Sequence, residues 1–180
     1  MLNQRGFTLI ELIIVIVILG ILAVTALPRY VNLSDDANLA AMKGETAAFK
    51  SAVDLVRSTY LIRKTSPIVV HGSTVEIDSA SEWPTGSGSG TSLCINLWES
   101  LLEDAEPMNA ISNSSPQVAG WSAIGSSNIC IYGKKFNDAT FASGDLPHFA
   151  YFINDVASFT SLGQTYSGSA GEIQKVNMGE

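Results

Sequence analysis

Residues 6–29 read GFTLIELIIVIVILGILAVTALPR, an apolar run long enough for one helical crossing of a membrane. Two threonines and Glu11 are its only polar side chains between residues 7 and 27. An ionised glutamate in hydrocarbon costs about 2.5 kcal/mol or more, so the Glu11 carboxylate calls for a partner. Cleavage after Gly6 would supply one, because the new amine on Phe7 would lie four residues away on the same helix face.

This N-terminal stretch resembles the class III signal and first helix of type IV pilins, in the residues Gly6-Phe7-Thr8-Leu9-Ile10-Glu11. The run VILGILAVTA (17–26), followed by Pro28 and Arg29, is especially similar to mannose-sensitive haemagglutinin (MSHA) pilins. The close resemblance covers roughly residues 1–35. Beyond them only the general plan is shared: a long helix, then a globular region with a cysteine pair near its end.

The resemblance implies roles for several residues. A prepilin peptidase would cut after Gly6 and N-methylate Phe7, and Glu11 would be the carboxylate that directs assembly. The helix between Gly20 and Pro28 would unwind within a filament. These roles divide the chain into a leader (1–6), a membrane and filament-core helix (7–28), an amphipathic half-helix (29–64) and a globular domain (65–180).

Two simpler interpretations compete with this one. A hydrophobic run of about 20 residues is long enough to be a plain single-pass anchor. It also contains Val24-Thr25-Ala26, which has the small residues of a signal-peptide cleavage site, although the run exceeds the usual apolar core of about 7–15 residues. Neither interpretation explains Glu11.

Charge is unevenly distributed along the 180 residues. Residues 1–64 hold seven Lys/Arg and five Asp/Glu, whereas residues 65–180 hold three and twelve, a net charge of −9. An acidic surface repels phosphate backbones, so we expect no nucleic-acid partner. Arg5, before the apolar run, is consistent with a cytoplasmic N-terminus.

The pattern after the anchor predicts an α+β fold, in which a long N-terminal helix packs on an antiparallel sheet. An apolar stripe recurs at helical spacing up to residue 63, formed by Leu39, Met42, Thr46, Phe49, Val53, Val56 and Tyr60. If the helix is continuous from Thr8, it is a rod roughly 80 Å long. The stripe is the predicted cover for one face of the sheet.

Short alternating segments predict the strands. A hairpin is predicted at residues 68–70 and 75–77, turning at His71-Gly72-Ser73, and a short helix over residues 93–102 that Pro107 terminates. Further strands are predicted at 118–124, 128–132, 148–153, 157–162 and 172–176.

The cysteines number two, Cys94 and Cys130, both beyond the anchor. If the domain is exported, an oxidising compartment favours a disulfide between them. The alternative is a pair of buried free thiols.

Catalytic and metal-binding patterns are weak. The histidines are His71 and His148; Asp145 precedes His148 by three residues, but no nucleophile elbow is present. Glu103, Asp104 and Glu106 depart from an EF-hand loop and indicate an acidic helix end instead. Asn113 begins a glycosylation sequon, a weak signal in a bacterial protein. We therefore expect no enzyme, cofactor or metal.

The resulting functional hypothesis is a structural subunit. The chain would wait in the bacterial inner membrane as a prepilin and then, with pilus assembly machinery, form a helical homopolymer outside the cell that serves in attachment. One alternative is a minor pilin or a type II secretion pseudopilin. Another, of a different class, is a membrane-anchored enzyme or binding domain.

Overall fold

The computed structural model describes residues 7–111, 119–136 and 146–179. The chain divides into two compact units, Met1–Asn38 and Leu39–Glu180. Four residues singled out above, Arg5, Gly6, Asn113 and Asp145, lie outside the described residues.

Helix α1 spans Leu9–Arg63 and contributes to both units. Its segment Leu9–Ala26 is long and apolar enough to cross a membrane. The backbone stays helical through Gly20 and Pro28. The unwinding expected between these two residues concerns a filament, so it stays a prediction.

The second unit contains helix α2 (Thr91–Leu101) and ten short strands. They are β1 (Ile68–Val70), β2 (Ser73–Ile77), β3 (Pro84–Thr85), β4 (Met108–Ala110), β5 (Gly120–Gly125), β6 (Ile129–Lys135), β7 (His148–Phe152), β8 (Val156–Ser161), β9 (Gln164–Gly168) and β10 (Ile173–Val176).

Three sheets form from these strands. The main sheet has the order β10-β7-β6-β5-β4, and a small sheet has the order β1-β2-β3. The β8–β9 pair is a separate hairpin. All pairs are antiparallel except β4–β5, which is parallel. The predicted α+β fold is confirmed, with one parallel pair at the edge of the main sheet.

One face of the main sheet packs on the C-terminal half of α1 and on α2. The predicted stripe is buried at Met42, Thr46, Phe49, Val53 and Val56, and partly buried at Leu39 and Tyr60. The buried Thr46 hydroxyl is satisfied because it donates to the Met42 carbonyl at 2.8 Å. Phe49 lies at the centre of this core, with its ring 5.3–5.7 Å from those of Trp98, Tyr132, Phe149 and Tyr151.

The other face has its own apolar cluster. Its buried members include Ile129 and Ile131 from β6 and Phe152 from β7. Tyr166 from β9 is buried with them, and Val156 and Phe159 from β8 pack partly against them. The β8–β9 hairpin therefore covers the sheet on the side away from α1.

The predicted disulfide is confirmed. Cys94 on α2 and Cys130 on β6 are bonded, with Cα atoms 5.4 Å apart, and both residues are buried. Gly125 on the neighbouring strand lies so close that a Cβ there would collide with the Cys94 sulfur. Glycine is thus required where β5 passes the bridge.

Several sequence-based boundaries need correction. Helix α2 ends at Leu101, six residues before Pro107, because Leu102 already has an extended backbone. Pro107 therefore does not terminate it. Strands β3, β4 and β9 were not predicted; the hairpin at 68–77 and the segments that became β5, β6, β7, β8 and β10 were correct to within a few residues.

Candidate assembly site

The apolar surface of the helix in the first unit is exposed. Large apolar side chains from Phe7 to Val24 are 45–89% exposed. Continuous apolar surface of this extent is rare on soluble monomers and marks a contact with lipid or protein. This helix therefore requires a membrane or other chains around it.

Glu11 lies in the first turn of this apolar helix, where it closes a capping box with Thr8. The Thr8 backbone N–H and hydroxyl both donate to Oε2 of Glu11, at 3.0 and 2.7 Å. In return the Glu11 N–H donates to the Thr8 hydroxyl oxygen at 3.3 Å. The Thr-x-x-Glu spacing is the usual sequence signature of this motif.

The capping box gives the Glu11 carboxylate a partner, Thr8, that was not predicted from the sequence. Sequence reasoning placed the Phe7 amine beside Glu11, but while the leader is attached the Phe7 nitrogen is an uncharged amide. Thr8 instead supplies both hydrogen bonds to Oε2. Within the described residues both hydrogen bonds to the carboxylate go to Oε2, and none goes to Oε1.

A polar cluster fixes α1 to the sheet in the second unit. Lys134 on β6 donates to Glu45 of α1 at 3.1 Å and to Glu106 at 2.8 Å. Trp121 on β5 donates its indole N–H to the same Glu45 carboxylate, and the Lys134 ammonium lies 5.5 Å from the centre of the Trp121 ring. Burial alone would lower the pKa of Lys134, but the two carboxylates outweigh it and raise that pKa.

His148 is buried, and both of its ring nitrogens form hydrogen bonds within the domain. Its Nδ1 donates to the Leu146 carbonyl at 2.6 Å, so its Nε2 accepts from the Tyr166 hydroxyl at 2.8 Å. Burial lowers the pKa of His148, which favours the neutral ring. Burial also raises the pKa of Tyr166 to about 12. The imidazole thus links β7 to the β8–β9 hairpin.

The other residues considered for chemistry do not assemble a centre. His71 lies at the surface, 3.3 Å from Glu103, and Glu106 is engaged by Lys134. Among the described residues no group of three or more His, Cys, Asp or Glu side chains is arranged to hold a metal ion.

Comparison with known proteins adds independent evidence. A family model described as "Prokaryotic N-terminal methylation motif" matches residues 1–27. The chain is 39% identical over 92 residues to the type IV narrow pilus major component PilA5 of Thermus thermophilus, which covers 51% of this chain and 79% of that protein. No solved structure matches.

Two further relatives match shorter stretches of the chain. The type IV major alpha-pilin of Moraxella bovis is 55% identical over 51 residues, which is 28% of this chain and 32% of that pilin. The type II secretion system core protein G of Pseudomonas aeruginosa is 43% identical over 55 residues, which is 31% of this chain and 39% of that protein. These relatives are structural proteins and not enzymes, and the chain belongs to the type IV pilin superfamily.

Proposed function

We propose that this chain is the structural subunit of an MSHA-like type IV pilus, a filament used for surface attachment. The observation that carries the proposal is the exposed apolar helix Leu9–Ala26 with one carboxylate, Glu11, in its first turn. The prepilin is held in the bacterial inner membrane by this helix. A prepilin peptidase then cuts after Gly6 and N-methylates Phe7.

Polymerisation follows from the same surface. When the subunit leaves the membrane, its apolar helix is covered by the helices of other copies. A contact between two different surfaces of identical subunits gives a helical filament when its repetition does not close into a ring.

Glu11 sets the register in this scheme. Its Oε2 is held by Thr8, while Oε1 receives the Phe7 amine of a neighbouring subunit. Single buried polar groups are the best attested means of fixing register between apolar helices. The capping box orients the carboxylate before the neighbour arrives.

A second candidate is a secretion pseudopilin or a minor pilin, and the similarity to the type II secretion system core protein G favours it. The two functions differ in where the protein accumulates. A pilus subunit is the abundant protein of sheared surface filaments, whereas a pseudopilin or minor pilin is scarce there and stays with the cell envelope.

The test combines mass spectrometry of the N-terminus with electron microscopy of sheared filaments. Filaments built mainly of a chain that begins at N-methylated Phe7 support the proposal. A chain that retains Met1 contradicts the proposal. A chain that starts at Leu27, which is what cleavage of a secretory signal peptide would produce, contradicts it as well. Correct processing without surface filaments favours the pseudopilin.

A further inference from the structure

The exposed large apolar side chains of the second unit concentrate in one stretch. Within its described residues they are Leu55, Leu61, Ile62 and Val69, with 61, 47, 84 and 66% of their surface exposed. Exposed apolar groups confined to one stretch of a domain that otherwise buries them are candidates for a contact surface. Ile62 is the most exposed of the four.

A basic residue accompanies Ile62. Arg63 is exposed at the last turn of α1, and among the described residues it forms no ion pair. The other two cations nearby are already engaged, because Arg57 and Lys64 both bind Glu82. The end of α1 therefore offers an apolar side chain next to an uncommitted positive charge.

A cavity of the same unit has the complementary chemistry. It has a volume of about 420 Å³ and lies where α2 ends. Leu102, Ala105 and Pro107 supply apolar wall, and Glu99, Glu103 and Asp104 supply carboxylates. His71 at its edge offers at most one positive charge, and it lies 3.3 Å from Glu103.

We infer that Ile62 and Arg63 of one copy dock into this cavity of a second copy. The inference rests on the proposed function and names a contact between globular domains in addition to the helix core. Ile62 packs on Leu102 and Pro107, and Arg63 pairs with Glu99. Both halves belong to the same chain, so every copy carries one projection and one cavity, and in a helical filament the contact repeats from copy to copy.

Charge supports a second copy as the occupant. Residues 65–180 carry a net charge of −9, so globular domains brought together repel one another. Of the three basic side chains in that region, Lys134 is already bound by Glu45 and Glu106. Arg63 of α1 is an exposed cation outside this acidic region, and complementary charge fixes which surfaces meet.

The first test is cross-linking in filaments of the full-length chain. A chain with both Ile62→Cys and Ala105→Cys, in oxidised sheared filaments, is expected to give a ladder of dimers, trimers and larger species on a non-reducing gel. The matched control pairs Ile62→Cys with Ser167→Cys, on the exposed side of β9, and is expected to stay monomeric. A dimer band without a ladder, or equal ladders in both chains, overturns the inference.

The second test reverses charge and also serves if the cysteine chain does not assemble. Arg63→Glu or Glu99→Arg alone is expected to lower the yield of sheared filaments about fivefold, because an exposed pair is replaced by a repulsion. The two together are expected to restore it, while Glu76→Lys, a reversal on β2, leaves it unchanged. Absence of rescue overturns the inference and leaves the proposed function standing. If the unaltered chain forms no filaments, both fail.

Discussion

The ring of Phe49 on α1 stacks on that of Trp98 on α2, with centroids 5.7 Å apart and planes inclined by 21°. Both side chains are buried, and Phe49 also meets three aromatic rings of the sheet. One side chain of α1 therefore contacts both α2 and the main sheet.

Phe49→Ala is expected to destabilise the second unit by about 3–5 kcal/mol, because it leaves a cavity among rings that cannot collapse into it. Thermal unfolding of the detergent-solubilised chain measures the change. Leu55→Ala, on the exposed side of the same helix, is the control and is expected to change stability by no more than about 0.5 kcal/mol. Equal effects of the two substitutions would contradict this account of the core.

Glu11→Val is expected to leave membrane insertion intact and to stop polymerisation. The substitution makes the anchor more apolar, but the Phe7 ammonium would then enter the filament without a counter-charge. An unpaired buried charge costs about 3–5 kcal/mol, roughly 150- to 5000-fold per subunit added. Sheared filament is compared with membrane-extracted subunit, and Thr25→Val serves as the control for added apolarity. Normal processing and normal filament yield in the Glu11 variant would remove the pairing mechanism.

Thr8→Ala is expected to weaken the first turn of α1 while preserving the charge on Glu11. Loss of a capping side chain costs about 0.5–2 kcal/mol, and the Glu11 carboxylate would lose the hydroxyl donor at 2.7 Å. Amide hydrogen exchange at residues 9–12 should accelerate, and filament yield should fall less than for Glu11→Val. Thr8→Ser retains the hydroxyl and should behave as the unaltered chain; equal exchange in all three would argue against the capping box.

The Cys94–Cys130 bond should be closed in the exported protein, so neither thiol should react with an alkylating reagent in denaturant until a reductant is added. Replacing both cysteines with alanine is expected to cost about 3–4 kcal/mol, because the unfolded chain regains the freedom of the loop between them. Denaturant unfolding measures the loss, and alkylation without reductant would contradict the prediction.

The stability of the domain should fall with acid below about pH 6.5, the ordinary pKa of histidine. Burial lowers the pKa of His148 in the folded state, so the unfolded chain binds its proton at a higher pH than the folded chain does. This stability is present above the unfolded pKa and is lost as the pH falls from it towards the folded pKa. His148→Gln should lose less stability between pH 7.5 and pH 5 than the unaltered chain, and an equal loss would exclude this role.

Sequence periodicity was sufficient to predict α1, its buried stripe and most strands, because the pattern of apolar residues in these segments repeats over several helical turns or several alternating strand positions. It failed where the segments were too short or too polar to show a period. Strands β3 and β4 have two and three residues, and β9 reads QTYSG. The parallel pairing of β4 with β5 has no local signal at all, since it depends on where α2 directs the chain.

Part of the environment of Glu11 could be predicted from the sequence. The unusual position of Glu11 was evident because a lone carboxylate conflicts with its apolar surroundings. Its bond to Thr8 was not predicted, although the Thr-x-x-Glu spacing of a capping box was present in the sequence. The cluster of Glu45, Trp121 and Lys134 joins residues far apart in the chain and had no signature in the sequence.

The position of Lys134 has a mechanical consequence for a fibre under tension. A pull transmitted along α1 reaches the globular domain as shear between the helix and the sheet. Lys134 and Trp121 both donate to Glu45 of α1, so sliding of α1 must break two hydrogen bonds to one carboxylate together with the contacts of Phe49. Bonds that share a load in parallel resist it better than bonds that fail one after another, so this cluster is suited to keep the domain attached when the fibre is stretched.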